Sequence, residues 1–390
     1  MGLPKRAPSS GKPEREPARA LEAATLLANA QIAASIMAVE LDRFYNRTRA
    51  ARKIVVVDLG FLGDSIHLVP ALWEIKRHYP EAGLHTVSAR VGAELLGLAP
   101  CVDRAWTFPL GPKSPPWWRH WDVLRELRRA RFDLAFNFSG ADRTIFLTAL
   151  TGARWRLGHP GGRSHFWNKL LIPCWTPRQN ADLPVYEQRR QVLVSAGFVL
   201  EPPRFDLQLP SAARDWAGGA TPPNAVHLSI NASTFLKEWP LSNWIDLARR
   251  LLSERASLRL VATAGPAQRE QERLEQFARE TNHPRLQALP GSLSIAQLGA
   301  LLAGCRAHVG ADSGVLHLAM AVGIPTVAIF REYGGLNEWL PRGTRHRHVT
   351  TPCPCAGQAR PACATLGYAR CLAGTSAETV ARLVHECLEG

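Results

Sequence analysis

The most constraining feature of this sequence is a continuous β-branched run, Ile54-Val55-Val56-Val57, broken shortly afterwards by Gly60 and Gly63. A strand with one wet face alternates apolar and polar residues. An unbroken apolar run marks a strand covered on both faces, as in a parallel sheet packed between helices. A helix is expected from about Ser65 to His78, stopped by Pro80, and strand-like runs recur at Leu84–Ser88, Arg104–Phe108 and Asp133–Phe138. That alternation predicts an α/β sheet.

Residues 209 to 224, LPSAARDWAGGATPPN, have the Gly, Pro and Ala content of a linker and no hydrophobic periodicity. A second alternation begins beyond them. Strands are expected at Ala225–Ile230, Leu258–Ala262, Leu286–Leu289, Ala307–Gly310 and Thr326–Phe330, with helices near Ser242–Ser253, Pro266–Glu280, Ser294–Ala303 and Gly314–Val322. A length of 390 residues suits two domains. They are placed at 51–210 and 222–375, between an extension at 1–50 and a C-terminal helix at 376–390. Ligands of such sheets bind outside the carboxyl ends of the strands.

Residues 21–49 contain neither Pro nor Gly and should be helical. That helix either packs on the first domain or, through Arg43, Arg47, Arg49, Arg52 and Lys53, lies at a membrane interface. No apolar run reaches the roughly 18 residues of a membrane-spanning helix. Residues 1–20 lack the apolar core of a secretory signal, so a cytoplasmic location is expected, with peripheral contact to the inner membrane open. The excess of 47 Lys and Arg over 33 Asp and Glu, a formal +14, suits phosphates, nucleic acid or an anionic membrane. The arginines are dispersed and no nucleic-acid module is present, so nucleic acid is not expected as a partner.

The chemistry concentrates at predicted strand ends. In GADSGVLHLAMAVGIPTVAIF, residues 310–330, Asp312, Ser313 and Gly314 occupy a strand-to-helix turn whose backbone N–H groups face outward, a cradle for phosphate. Ser313 can cap the helix or donate to an anion, Gly314 would let a phosphate approach, and His317 lies one turn on over the face of Ser313. After the strand that opens the second half, Asn231, Ser233, Thr234 and Lys237 form a small-hydroxyl loop with a point charge, read as a diphosphate site or as a solvated loop. In the first half Asp64 follows Gly63, with His67 three residues later. Gly60-Phe61-Leu62-Gly63 lacks the dinucleotide fingerprint, which argues against a Rossmann oxidoreductase. Asp64 is either a helix cap or a general base facing a ligand held by the other half.

Together GDSIHLVPALWEIKRHYP, LKEWP and ADSGVLHLAMAVGIPTVAIF resemble glycosyltransferase family nine, the ADP-heptose heptosyltransferases of lipopolysaccharide assembly. The similarity runs from about Lys53 to the C-terminus. It implies a GT-B fold, two Rossmann-like domains facing across a cleft with sugar nucleotide in the second and acceptor in the first. It also implies inverting transfer without a catalytic metal. Residue by residue, Asp64 matches the general base and Lys237 the phosphate-binding lysine, with Ser233 beside it. Asp312 matches the donor-sugar contact, and Ser313 and Gly314 the diphosphate site. Glu270 matches the ribose-binding acid and Leu293 the adenine contact. Asn137 stands where the family usually has an acid, and the helix at 21–49 is extra; both bear on the acceptor.

Cys353, Cys355, Cys363 and Cys371 fall within 19 residues of one loop. In a cytoplasmic protein such a cluster suggests metal before disulfide, although the spacing is not that of paired zinc knuckles. Some family members resembling autotransporter heptosyltransferases carry an iron finger here, so structural zinc or iron and plain reduced thiols are both open. The expected function is heptose transfer from ADP-heptose to a sugar hydroxyl of an anionic glycolipid, the lipopolysaccharide inner core. A protein (autotransporter) acceptor and a non-catalytic nucleotide-binding regulator are the alternatives.

Overall fold

In the computed structural model of the protein, which describes residues 41, 43–109, 120–159, 166–291, 293–355, 363 and 368–389, the β-branched run becomes β1 (Lys53–Val57), with Ile54 to Val57 wholly buried. A short helix α1 (Phe44–Thr48) precedes it. Then come α2 (Leu62–His78), β2 (Gly83–Ser88), α3 (Arg90–Leu96), β3 (Arg104–Thr107), α4 (Trp121–Arg129) and β4 (Leu134–Asn137). The first half closes with α5 (Asp142–Leu150), β5 (Trp155–Gly158), α6 (Phe166–Leu171), β6 (Cys174–Trp175) and α7 (Val185–Ser195).

The second half runs α8 (Ser211–Ala220), β7 (Ala225–Ser229), α9 (Leu241–Glu254), β8 (Arg259–Thr263), α10 (Gln268–Thr281), β9 (Leu286–Leu289), α11 (Ile295–Ala303) and β10 (Ala307–Ala311). It continues through α12 (Gly314–Ala321), β11 (Thr326–Arg331), α13 (Leu336–Trp339), β12 (His346–Thr351), α14 (Arg370–Ala373) and α15 (Ala377–Glu389). The expected strands and helices of both halves are present, with ends moved by one to three residues. The short or polar strands β5, β6 and β12 were not expected.

Each half holds a six-stranded sheet, ordered β3-β2-β1-β4-β5-β6 and β12-β11-β10-β7-β8-β9. The strand pairs run parallel, in registers such as Ile54↔Leu134 and His308↔His227. Read from its own first strand, the second sheet has the same winding as the first. The chain departs in opposite directions from the central pairs β1/β4 and β7/β10. Loops at their carboxyl ends therefore diverge and leave a crevice.

One expectation fails. Residues 211–220 are helix, not structureless linker. Pro210 supplies the extended residue before the first turn, and Ala213 and Ala217, four apart, are buried on Ala300 of α11 beside Leu209 and Trp216. The face is built of alanines, so it leaves little hydrophobic contrast to read. Of the helix expected at 21–49, Leu41 and residues 43–49 are described, with α1 at Phe44–Thr48; residues 21–40 and 42 lie outside the described residues. Phe44 meets Phe136 edge-on, with ring centres 6.4 Å apart, which packs this part on the first core. No helix among the described residues is long and apolar enough to cross a membrane.

A separate buried cluster joins the halves. Ile66 and Leu95 of the first pack with Ala225, Val261, Leu301, Leu318 and Ile324 of the second. Glu94 of α3 accepts the Ile295 N–H at the head of α11 at 2.7 Å.

Candidate active site

β10 ends at Ala311 on the switch point of the second sheet, so Asp312 and Ser313 fall in the crevice. Asp312 is buried, and its Oδ2 accepts from Lys237 Nζ at 2.8 Å and from the Tyr333 hydroxyl at 2.9 Å. Burial and the Asp312 carboxylate push the Tyr333 phenol well above its ordinary range. Lys237 closes a single 3₁₀ turn, Phe235–Lys237. The residues after it explain its position. Glu238 is buried, gripped by both Arg269 nitrogens at 2.8 Å and accepting the Ala232 N–H. Trp239 is wholly buried and donates its indole N–H to the Thr375 carbonyl at 3.0 Å. In LKEWP, Glu238 and Trp239 are the anchors that present Lys237.

Ser313 stands in extended conformation before α12 (φ −147°, ψ 162°) and makes no side-chain cap bond; its Oγ is buried without a partner. Of the two roles open to it, capping is absent, and an unsatisfied buried hydroxyl remains where an anion would arrive. Gly314 also has a packing reason to be glycine: an added Cβ would lie 2.8 Å from Leu62 Cβ, at the head of α2. The first turns of α2 and α12 therefore meet.

Ser233 is exposed in the same loop. Glu270, in the first turn of α10, accepts the Gly265 N–H at 2.8 Å. A side chain at Gly265 would meet that carboxylate at 2.3 Å. Leu293 is half-buried against the cluster that joins the halves. His317 does not turn to the crevice in isolation: its Nδ1 lies 3.1 Å from His67 Nε2 of the other half. Tyr186 stacks on His67, and Trp339 packs on both rings. Burial lowers His317 to about 4 and His67 well below its usual value, so both are neutral.

Asp64 is the third residue of α2, and its Oδ2 accepts the Phe61 N–H at 2.9 Å. The side chain folds over Gly60, where an added Cβ would sit 2.4 Å from Asp64 Cβ. The helix-head bond uses Oδ2, while Oδ1 lies 3.7 Å from the Arg189 guanidinium, so capping leaves one oxygen without a hydrogen bond to the Phe61 N–H. Burial raises its pKa above the ordinary carboxyl value, Arg189 opposes this, and Asp58 adds to it. Asn137, at the end of β4, accepts the Ser139 and Gly140 N–H groups and donates to Thr148 Oγ1 at 3.0 Å. An ionised acid could not make that last bond.

Cys353 and Cys363 are buried, and the Cys353 and Cys371 thiols hydrogen-bond to each other. Burial and Cys353 push the Cys371 thiol up to about 11, with Cys363 adding to the rise. Among the described residues no group of three or more His, Cys, Asp or Glu side chains is gathered for a metal. Residues 356–362 and 364–367 of this loop lie outside the described residues. Tyr333 and Arg331 escaped sequence reading; Arg331 reaches the Cys353 sulfur at 3.8 Å and lies 5.6 Å from the Tyr333 ring centre.

Two identically wound sheets that turn their helix heads toward each other define the GT-B class of glycosyltransferases. The chain matches the family model "Glycosyltransferase family 9 (heptosyltransferase)" over residues 120–368, and it belongs to that family. It is 27% identical to lipopolysaccharide heptosyltransferase 1 of Pseudomonas aeruginosa over 330 residues, 78% of this chain and 85% of the relative. Its fold matches the family 9 glycosyltransferase of Veillonella parvula with a TM-score of 0.73 at 18% identity, covering 87% of this chain and 97% of that one. It also matches E. coli heptosyltransferase WaaC with ADP-2-deoxy-2-fluoro heptose, TM-score 0.66 at 19% identity, over 86% and 99% of the two chains.

Proposed function

We propose that this glycosyltransferase moves a heptose from ADP-heptose to a hydroxyl of the lipopolysaccharide inner core, with inversion and without a metal at the bond being made. The observation that carries the mechanism is the meeting of α2 and α12, Leu62 against Gly314, which brings Asp64 and Ser313 to one junction between the halves. The names of the relatives support heptose and lipopolysaccharide. The net charge of +14 suits an anionic donor, an anionic acceptor and peripheral contact with an anionic membrane face.

In this reading the diphosphate lies against Lys237, the Ser313 hydroxyl and the first N–H groups of α12. These donors meet charge that grows as the sugar bond breaks. Lys237 exchanges its Asp312 contact for the phosphate, and Asp312 turns to the sugar with His317 behind it. Glu270 and Leu293 take ribose and adenine, and Ser233 closes over the phosphates. Asp64 takes the acceptor proton as the hydroxyl attacks from the side opposite the diphosphate.

ADP-heptose presented with core-truncated lipopolysaccharides and an autotransporter passenger domain tests the acceptor: a mass gain on the core is expected, and one on the protein alone overturns that part. A positioned base contributes about 10² to 10⁴ in rate. Asp64→Asn should therefore lower turnover by that factor with little change in ADP affinity or Tm. Near-normal turnover would reduce Asp64 to a cap.

The thiols of Cys353, Cys355, Cys363 and Cys371 are proposed to hold a structural zinc or iron remote from the chemistry, supported by the Cys353–Cys371 contact. Protein prepared reduced and without chelator should carry up to about one metal per chain, released in the Cys353→Ser/Cys355→Ser variant. Elemental analysis finding none sinks the idea.

A further inference from the structure

Arg189 lies on α7, 125 residues from Asp64, and is buried. Its guanidinium pairs with Asp58 Oδ2 at 2.8 Å, lies 3.7 Å from Asp64 Oδ1 and donates to the Asp64 backbone carbonyl. Asp58 follows β1, is almost wholly buried, and accepts the Gly60 N–H at 2.8 Å through its other oxygen. One cation thus holds two carboxylates and one helix-head carbonyl, at the carboxyl edge of the first sheet.

We infer that Arg189 is a positioning residue for the transfer, forming with Asp58 a buried triad that fixes Asp64 at the head of α2 and keeps it ready to accept a proton. The inference rests on Asp64 being the base. A buried arginine beside a lone carboxylate would hold it too strongly ionised to be a good base. The second carboxylate shares the cation and restores basicity. The planar guanidinium suits this bridging, whereas an ammonium offers a point charge.

The groups around Asp64 are few. α7 contributes Arg189 and the turn after β1 contributes Asp58. The Phe61 and Asp64 N–H groups come from the head of α2, and His67 lies one turn along it. α12 contributes His317, hydrogen-bonded to His67. His159, at the end of β5, faces Arg189 and is lowered to about 4 by burial, with Arg178 and Arg189 adding to the effect. These histidines are neutral across the working range, so Arg189 and Asp58 are the charges that act on Asp64. Their effects are opposite, since Arg189 favours the ionised form and Asp58 the protonated one.

The test is the acid limb of the pH profile of kcat/KM in the intact protein with ADP-heptose and the acceptor found above. Arg189→Gln should move the limb to higher pH. Asp58→Asn, which keeps an oxygen for the Gly60 N–H, should move it to lower pH. Arg189→Lys should leave it nearer the wild-type position than Arg189→Gln does. The alkaline plateau of each should fall by less than the roughly 10²- to 10⁴-fold that loss of a base brings. A purely structural role would lower rates without displacing the limb in opposite directions, and that result overturns the inference. If Arg189→Gln fails to fold, Asp58→Asn decides alone. If residual turnover of Asp64→Asn keeps the wild-type limb, the base assignment itself has failed, a different outcome from a limb that needs Asp64 yet ignores Arg189 and Asp58.

Discussion

Lys237 Nζ lies 2.8 Å from Asp312 Oδ2, so the lysine is held at the carboxyl end of β10. Replacing it removes a charged donor to phosphate, a contact that contributes about 1.5 to 3 kcal/mol. Lys237→Ala should weaken ADP binding by that amount while the Tyr333 hydroxyl still holds Asp312; calorimetry giving an unchanged Kd would exclude the role. Asp312, Ser313 and Asp64 stand out in the sequence because each is a polar residue in the turn after an apolar strand, and Lys237 because it follows small hydroxyl residues in such a loop; their roles are those proposed above. Tyr333 and Arg189 do not, while Asp58, directly after Val57, carries the same signal and was passed over. Nothing in VYEQRRQVLVS distinguishes Arg189 from an arginine on a wet helix face. Its role exists because α7 packs along α2, and that is a property of the tertiary fold.

At the scale of elements, the seam between α2 and α12 depends on one missing methyl. Alanine at Gly314 would place Cβ 2.8 Å from that of Leu62, closer than real contacts allow. Overpacking of this kind typically costs about 1 to 3 kcal/mol. Gly314→Ala should lower Tm and weaken donor binding together, and adding Leu62→Gly, which removes the opposing Cβ, should recover part of the donor binding. A fully normal Gly314→Ala protein in thermal unfolding and ADP titration would show that the seam is slack. The core strands were legible because burial on both faces writes an uninterrupted apolar run. α8 was misread because its contact face is alanine, and β12 was missed because HRHVTT covers its sheet with half-buried polar residues. Local pattern records the contrast between faces, and these elements have little.

Among the described residues four histidines are buried, His67 and His317 across the seam and His227 and His308 in adjacent strands of the second sheet. Burial holds all four below the ordinary histidine value, His227 at about 3 and His317 at about 4. Folded pKa values depressed below about 6.5 mean that the unfolded chain binds more protons, so stability falls as pH drops from about 6.5 toward 4. Each histidine contributes a slope of up to roughly 1.4 kcal/mol per pH unit there. Thermal scans should show Tm declining steeply between pH 6.5 and 5, and a flat Tm would contradict the burial of these rings. The cluster that joins the halves also sets a timetable for biosynthesis. The first sheet has all its strands by Trp175, and Phe198 completes its core, yet Ile66 and Leu95 are covered only by residues that extend to Ile324. A ribosome adding about 5 to 20 residues per second needs roughly 6 to 25 s to deliver that cover. During those seconds the nascent first half shows neighbouring chains an apolar face that the finished enzyme never exposes, and chaperone protection is needed then rather than after release.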